Sequence, residues 1–332
     1  MKAVIPVAGV GTKLRPHTFT QPKPLIPVAG KPIISHIIDQ FLQVGIKDFV
    51  IIIGYLGDKI RQYVTETYPE LNVEFVYQAE RLGLGHAIWS ASDAIAQADE
   101  IVIALGDTIL ELDFSSFLDV KGSCVGVSVV KNPSDFGIVE VGHDGYLTKA
   151  VEKPSVPTSN LAIVGIYKLD HIPKLLSALE EIVGEETIKN EEVQLTDALM
   201  RMIKEGEQIS IFHVNKWFDC GRRDVLLETN ATLLNLMDSQ GVDLDSYEQT
   251  IIIHPVAIGK NCTINNSIIG PHVTIGSNSV IVSSIVDNSI IGSFAELQEI
   301  VLRKSIVGND ASVKGHHVSL NIGENTEIEF GK

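Results

Sequence analysis

Ala3-Val4-Ile5-Pro6-Val7-Ala8-Gly9-Val10-Gly11-Thr12-Lys13-Leu14-Arg15-Pro16-His17-Thr18 is the stretch from which the rest of the chain can be read. Its first part is a short, continuous apolar run, the pattern of a strand buried on both faces. Its second part is a loop in which Gly9 and Gly11 remove side chains, so that backbone N–H groups can close on a phosphate. A buried strand opening into such a loop predicts an α/β sheet, whose ligands bind beyond the carboxyl ends of the strands. Lys13, Arg15 and, within Gln21-Pro22-Lys23-Pro24, Lys23 add three cations. A dinucleotide fingerprint does not fit: it wants a third glycine where Leu14 stands and an acid where Gly54 stands. A P-loop, which wants Gly-Lys-Ser/Thr after four spacers, is absent.

Outward from the loop, Phe49–Ile53, Val73–Tyr77 and Ile101–Leu105 predict further buried strands. Before Phe49, Ile33, Ile34, Ile37, Ile38, Phe41 and Leu42 fall on one helical stripe, with Pro32 near its start and Gly45 past its end. Helices also fit Asp58–Tyr68 and Gly85–Gln97. Strand and helix alternating in this way predict a parallel sheet with crossover helices. From Asp113 to Met237 the reading is mixed, with strands at Val125–Val130, Gly137–Val141 and Ala162–Tyr167. Helices are expected at Ile172–Val183, Leu195–Lys204 and Asp224–Leu236, and no break divides this region.

From Ile252 onward the period changes. Apolar residues recur every five or six positions: Ile258, Ile264, Ile269, Ile275, Ile281, Val286, Ile291, Leu297, Leu302, Val307, Val313 and Val318, then Ile322 and Ile328. Glycine follows many of them, as at Gly259, Gly270, Gly276, Gly292, Gly308 and Gly323. Neither a helix nor a simple amphipathic strand has that period. A hexapeptide repeat does, because each coil of a parallel β-helix has three flat faces with one inward aliphatic per face. Ser-Ile-Ile-Gly at Ser267 and Ser289, echoed by Ser-Ile-Val-Gly at Ser305, marks the same register. Polar Asp238–Thr250, containing Gly241, reads as the joint.

The net charge of −16 excludes a nucleic-acid surface, which needs a basic stripe, but not a small anion held by a few local cations. The three cysteines, Cys124, Cys220 and Cys262, are too few and too scattered for a disulfide framework and fit reduced thiols in the cytoplasm. No stretch approaches the length of a membrane span, and the apolar run after Met1 lacks a cleavage pattern. The expectation is a cytoplasmic protein with no membrane or nucleic-acid partner.

The loop resembles the signature of the sugar-phosphate nucleotidylyltransferase family, G-x-G-T-R-x-x-P-x-T with a downstream P-K-P. One position departs from it, since Lys13 stands where the family has arginine. An arginine grips phosphate oxygens through a bidentate fork and a lysine acts as a point charge. Either Lys13 does that work less rigidly or Arg15 shares it. Further motifs match along nearly the whole chain. Leu105-Gly106-Asp107 and Trp217-Phe218-Asp219-Cys220-Gly221 resemble the family's two metal-binding acid motifs, and the repeats resemble the left-handed β-helix of hexapeptide proteins. Glu192, in Glu191-Glu192-Val193-Gln194-Leu195-Thr196-Asp197, matches the acid of G-E-x-x-L-T-D, with Glu191 in place of the glycine.

The resemblance implies a Rossmann-like mixed sheet in a nucleotidyltransferase domain, 1–240, followed by a left-handed parallel β-helix, 251–332. It implies transfer of a nucleoside monophosphate from a nucleoside triphosphate to a sugar-1-phosphate, with Mg²⁺ on Asp107 and Asp219. Ala8, Gly9, Gly11, Thr12, Gln78 and Gly83 would bind the nucleotide, and Gly137, Glu152, Gly165 and Glu192 the sugar. Lys13, Arg15 and Lys23 would stabilise the triphosphate, and Lys153, in Glu152-Lys153-Pro154, would hold the sugar phosphate. Gln78 followed by Gly83-Leu84-Gly85-His86-Ala87 resembles the base-reading segment. A carboxamide can pair with N3–H and a carbonyl of uracil or thymine, which favours UTP or dTTP. The Gly-Leu-Gly-His-Ala wording is similar to uridylyltransferases and the tail to long thymidylyltransferases, with glucose-1-phosphate as the expected sugar. The β-helix is expected to be a packing and homo-oligomerisation platform. Two other readings stand beside this one. One is a bifunctional enzyme whose β-helix transfers an acyl group using His254, His272, His316 or His317. The other is a non-catalytic sugar-nucleotide-binding regulatory subunit, suggested by Lys13.

Overall fold

In the computed structural model, whose described residues are 1–189, 192–237 and 247–315, the chain divides into two units, Met1–Thr229 and Asn230–Lys332. Glu191, most of the expected joint with Gly241, and His316, His317, Val318, Ile322, Gly323 and Ile328 lie outside the described residues.

The first unit begins with β1 (Lys2–Pro6), α1 (Ile33–Gln43), β2 (Asp48–Ile53), α2 (Gly57–Thr67) and β3 (Asn72–Tyr77). It continues through α3 (Leu84–Ser90), α4 (Ser92–Ile95), β4 (Ile101–Ala104), β5 (Thr108–Glu111), α5 (Phe114–Leu118) and β6 (Ser123–Val129). Then come β7 (Gly137–Val141), β8 (Leu147–Glu152), β9 (Leu161–Leu169), α6 (Ile172–Lys189), α7 (Leu195–Lys204), β10 (Ile209–His213) and β11 (Lys216–Asp219). Helix α8 (Arg223–Leu236) contains the boundary between the units.

The sheet runs β8-β7-β9-β4-β1-β2-β3, with β6 on β9 and β10 on β6. β1 lies parallel between β2 and β4, and β2 is parallel to β3. β9 runs antiparallel to β4, which makes the sheet mixed. Ala3, Val4 and Ile5, the middle of β2 and all of β4 are buried, as their unbroken apolar runs require. Ile33, Ile34, Ile37, Ile38 and Phe41 of α1 are buried as well, while Leu42 is only half-buried.

Two expectations need correction. Val73–Tyr77 is not buried on both faces: β3 is the terminal strand of its sheet, Glu74 is exposed and Tyr77 is 63% exposed. The helix expected over Gly85–Gln97 breaks at Ala91 into α3 and α4. The hydroxyl of Ser90 donates to His86 O at 2.8 Å and that of Ser92 to Trp89 O, so both serines compete for backbone groups where the helix would continue.

The described repeats of the second unit form three four-stranded parallel sheets. Their inward residues stack in register as Ile252-Ile269-Val286-Leu302, Ile258-Ile275-Ile291-Val307 and Ile264-Ile281-Leu297-Val313. These columns are the axis of the β-helix, and the five-to-six-residue period is the spacing from one face to the next. Its corners use left-handed residues, among them Asn261, Asn266, Asn278 and Asn288 at φ 57°, 48°, 60° and 44°. Asparagine tolerates that region because its short side chain bonds locally. The small polar residues of the repeat also serve the corners: buried Ser279 donates to Gly292 O of the neighbouring coil, and buried Ser284 to Val282 O. Asn230 Nδ2 donates to His272 O at 3.1 Å, and Thr274 Oγ1 donates to Asn230 Oδ1 at 2.6 Å.

Candidate active site

Beyond the carboxyl ends of β1 and β4 lies a cavity of about 450 Å³ lined by residues 6–11, Lys23, Pro24, Gln78, Arg81, Gly83, Leu84, Ala87, residues 105–107 and Glu192. Its floor is the loop after β1. Val7 N–H donates to Ile52 O and Tyr55 N–H to Ala8 O, which fixes the loop against β2. A Cβ on Gly54 would stand 2.8 Å from Ala8 O, so no acid can occupy that position. The two loop glycines differ. Gly11 is required by its own fold, at φ +67° with Thr18 Oγ1 donating to its carbonyl. A Cβ on Gly9 would meet nothing within 4 Å, so the space it leaves faces the cavity.

The acids come together through a ladder separate from the main sheet. β5 begins after Asp107, β11 ends at Asp219, and they pair antiparallel with Thr108 opposite Asp219. Cys220 N–H donates to Asp107 O at 3.0 Å and Gly221 N–H to Asp219 Oδ1 at 3.0 Å. Lys23, 8% exposed on a short turn between Pro22 and Ile26, reaches both acids. Its Nζ lies 2.6 Å from Asp107 Oδ2 and 3.7 Å from Asp219 Oδ1. The carboxylates are 41% and 43% exposed, and they already share one cation, the ammonium. Two hard oxygen donors open on one side are what Mg²⁺ takes, together with water and phosphate oxygens. The residues fit a divalent ion.

On the same lining, Gln78 follows β3 and is buried. Its Nε2 donates to Gly83 O at 3.2 Å and lies 3.1 Å from His86 Nδ1. Burial lowers the His86 pKa, with Glu80 opposing, which favours the neutral ring, whose Nδ1 can accept. That leaves the Gln78 carboxamide oxygen to meet a ligand N–H. Gly83 (φ +101°) and Gly85 pack on the backbone of Val193: Val193 N–H donates to Leu82 O at 2.6 Å and Gly85 N–H to Val193 O at 2.8 Å. Glu192, one residue earlier, is exposed at the cavity.

Gly137 and Glu152 face each other across β7 and β8, and a Cβ on Gly137 would stand 2.9 Å from Glu152 Oε2. Burial raises the Glu152 pKa and neighbouring Lys153 opposes the rise. Lys153 takes φ +40° and its Nζ lies 3.5 Å from Glu152 Oε1. Gly165, at φ +86°, accepts from Leu105 N–H at 2.9 Å, and a Cβ there would strike the Leu105 side chain. It therefore sets the segment that carries Asp107.

Ala8, Gly9, Gly11, Lys23, Gln78, Gly83, Asp107 and Glu192 line one cavity. Thr12, Lys13 and Arg15 are exposed outside its lining, and the Arg15 guanidinium sits 4.9 Å from the centre of the Phe19 ring. Asp219 reaches the cavity through Lys23, whereas Gly137, Glu152, Lys153 and Gly165 lie outside the lining. Sequence reasoning passed over Arg81, a cation on the lining two residues before Gly83. It also passed over Thr196, whose buried hydroxyl has no hydrogen-bond partner among the described residues and whose Cγ2 would stand 3.2 Å from a Cβ on Gly137. Arg81 falls in the gap between Gln78 and Gly83 and Thr196 within the Glu191–Asp197 motif, so proximity to these residues was the available signal.

The sequence profile of the nucleotidyl transferase family matches residues 2–235. The bifunctional protein GlmU of Methanococcus vannielii is 37% identical over 244 residues, 71% of this chain and 56% of that one, so the chain spans little more than half of that relative. The glucose-1-phosphate thymidylyltransferase of Streptomyces antibioticus is 30% identical over 339 residues, 97% of this chain and 93% of that one. A UDP-glucose pyrophosphorylase from Acinetobacter baumanii shares the fold, with a TM-score of 0.61, 23% identity and coverage of 74% of this chain and 96% of that one. No described helix is long and apolar enough to cross a membrane.

Proposed function

The chain belongs to the nucleotidyl transferase family, and on that premise we propose that it makes a nucleoside diphosphate sugar and pyrophosphate from a sugar-1-phosphate and dTTP or UTP. The observation that carries this reading is the pair of acids, Asp107 and Asp219, joined by Lys23, with Asp107 and Lys23 lining the same cavity as Gln78. The fixed Gln78 Nε2 leaves an acceptor oxygen, which suits the N3–H of uracil or thymine. Glucose-1-phosphate is the proposed acceptor, in line with the thymidylyltransferase relative.

Joining two polyanions is a problem of positioning and charge neutralisation, since the attacking phosphate oxygen is already anionic. Mg²⁺, held by Asp107 and Asp219, would supply the positive charge that stabilises the α-phosphate during displacement. Gly9 and its neighbours offer backbone N–H groups to the phosphates, and Lys23 neutralises the triphosphate with Lys13 or Arg15 joining from the loop. Glu152 and Glu192 accept hydrogen bonds from sugar hydroxyls, and Lys153 holds the sugar phosphate. We place the enzyme in the cytoplasm as a homo-oligomer built on its β-helix.

A screen of pyrophosphate release from the four common ribonucleoside triphosphates and dTTP, against a set of sugar-1-phosphates, tests the reading. Turnover confined to purine triphosphates would overturn the base assignment, and no release with any pair would overturn the activity. A second reading, acyl transfer by the β-helix, draws on the bifunctional relative and on the His254 Nδ1, which is buried without a hydrogen-bond partner among the described residues. Acetyl-CoA turnover that disappears in His254→Ala would favour it.

A further inference from the structure

We infer that Lys23 is the internal counter-ion of the Asp107–Asp219 pair, which a divalent cation must displace and whose freed ammonium then passes to the triphosphate. The inference rests on the proposed metal site and assigns Lys23 a second, competing role there.

Three observations carry it. First, the ammonium is not shared evenly, with 2.6 Å to Asp107 and 3.7 Å to Asp219, so it bridges a gap that one cation between the acids fills. Two carboxylates so close disfavour each other's charge, and a cation between them removes that penalty. Second, Lys23 is almost wholly buried while both acids are open on one side. A divalent ion can therefore approach the carboxylates from solvent without passing the lysine. Once there, it repels the ammonium, because two like charges cannot hold the same two oxygens. Third, Lys23 itself lines the cavity beside Gly11. Rotation of its four-carbon stem carries Nζ from the acids into the space where phosphates are proposed to lie, with the backbone held by the Pro22 and Pro24 turn.

Metal and triphosphate should then favour each other. Without nucleotide, the metal must expel a cation from the two carboxylates that hold it. With nucleotide, the expelled cation gains one. Linkage makes the effect reciprocal, so metal strengthens nucleotide binding by the same factor.

The test is Mn²⁺ titrated calorimetrically into the full-length, nucleotide-free protein, comparing wild type with Lys23→Met. Methionine keeps an unbranched stem in the buried slot and removes the charge. The folded variant is expected to bind Mn²⁺ tighter by about tenfold or more, the scale of one charge repulsion at short range. Equal or weaker binding by a folded Lys23→Met protein overturns the inference. Absence of Mn²⁺ binding by both proteins, or binding that survives in an Asp107→Asn, Asp219→Asn double variant, overturns the metal assignment instead. A second measurement needs no Lys23 variant. In wild-type protein carrying ¹⁵N-lysine, the Lys23 ammonium resonance is expected to move on saturation with Mg²⁺ alone, and a resonance that stays in place overturns the displacement.

Discussion

A methyl group on Gly83 would stand 2.5 Å from the carbonyl oxygen of Val193, and Gly83 itself sits at φ +101°. Both facts demand glycine. The same oxygen accepts from Gly85 N–H, so the loop that fixes Gln78 is laced to the segment carrying Glu192. Gly83→Ala is expected to displace the loop and raise KM for the triphosphate by about tenfold, as for loss of a good hydrogen-bonded contact. Kinetics with the triphosphate varied at saturating sugar phosphate checks this, and an unchanged KM would remove the loop from nucleotide binding.

Asp107→Asn and Asp219→Asn each remove one charged oxygen from a cleft rather than from the packed core. Each is expected to lower kcat/KM by about a hundredfold or more while the melting temperature stays close to wild type. Near-normal turnover by either variant at ordinary Mg²⁺ shows that this acid is not a necessary ligand.

His36 makes stability depend on pH. Burial pulls its pKa from 6.5 down to about 4, partly opposed by its bond to Val28 O at 2.9 Å. The folded pKa lies below the unfolded one, so the contribution is full above about pH 6.5 and is lost as pH falls towards 4. The loss is on the order of 3 kcal/mol. Urea unfolding of wild type and His36→Gln at pH 7 and pH 4 isolates it. The wild type is expected to lose more stability than the variant by that amount, and parallel losses would contradict the assignment.

Lys13 tests the departure from the family's arginine. Lys13→Arg keeps the charge and adds the fork, so kcat/KM should hold or rise. Lys13→Ala is expected to lose on the order of a hundredfold in kcat/KM, as for removal of a comparable electrostatic stabiliser. If the alanine variant is unimpaired, Lys13 leaves the site and its work falls to Arg15.

Residues 1–240, expressed without the repeats, are predicted to fold and retain transferase activity with a changed oligomeric state. Asn230, buried in the full chain, loses its partners His272 and Thr274 and becomes exposed, so solubility should fall. An unfolded fragment would refute the division at that point.

Much of this was legible before the structure. β1, β2 and β4 are continuous apolar runs because both their faces are covered, and the inward columns of the β-helix repeat at a period no other element has. Val73, Phe75, Val76 and Tyr77 misled because an edge strand can carry the same residues with only one face covered. The β5 and β11 ladder was invisible: each strand is four residues long, and what defines it is pairing across the chain, which composition does not record. The acid motifs were readable singly, but the ion pairs of Lys23 with both were not, since they depend on that ladder. Arg81 and Thr196 escaped because an exposed arginine and a buried threonine are ordinary until a cavity or a missing partner singles them out.

That ladder has a consequence for how the protein is made. Asp107 leaves the ribosome early, just after a strand that can already pair with β1, while Asp219 follows only after most of the first unit has been synthesised. Domains generally fold as units as they emerge. A nascent chain can therefore hold most of its sheet and its glycine loop yet lack a completed cation site, and capacity for chemistry arrives only late in the synthesis of the first unit. Stalled or truncated translation products that stop before β11 would be folded in part and inert, with no half-built site able to engage nucleotide and metal together.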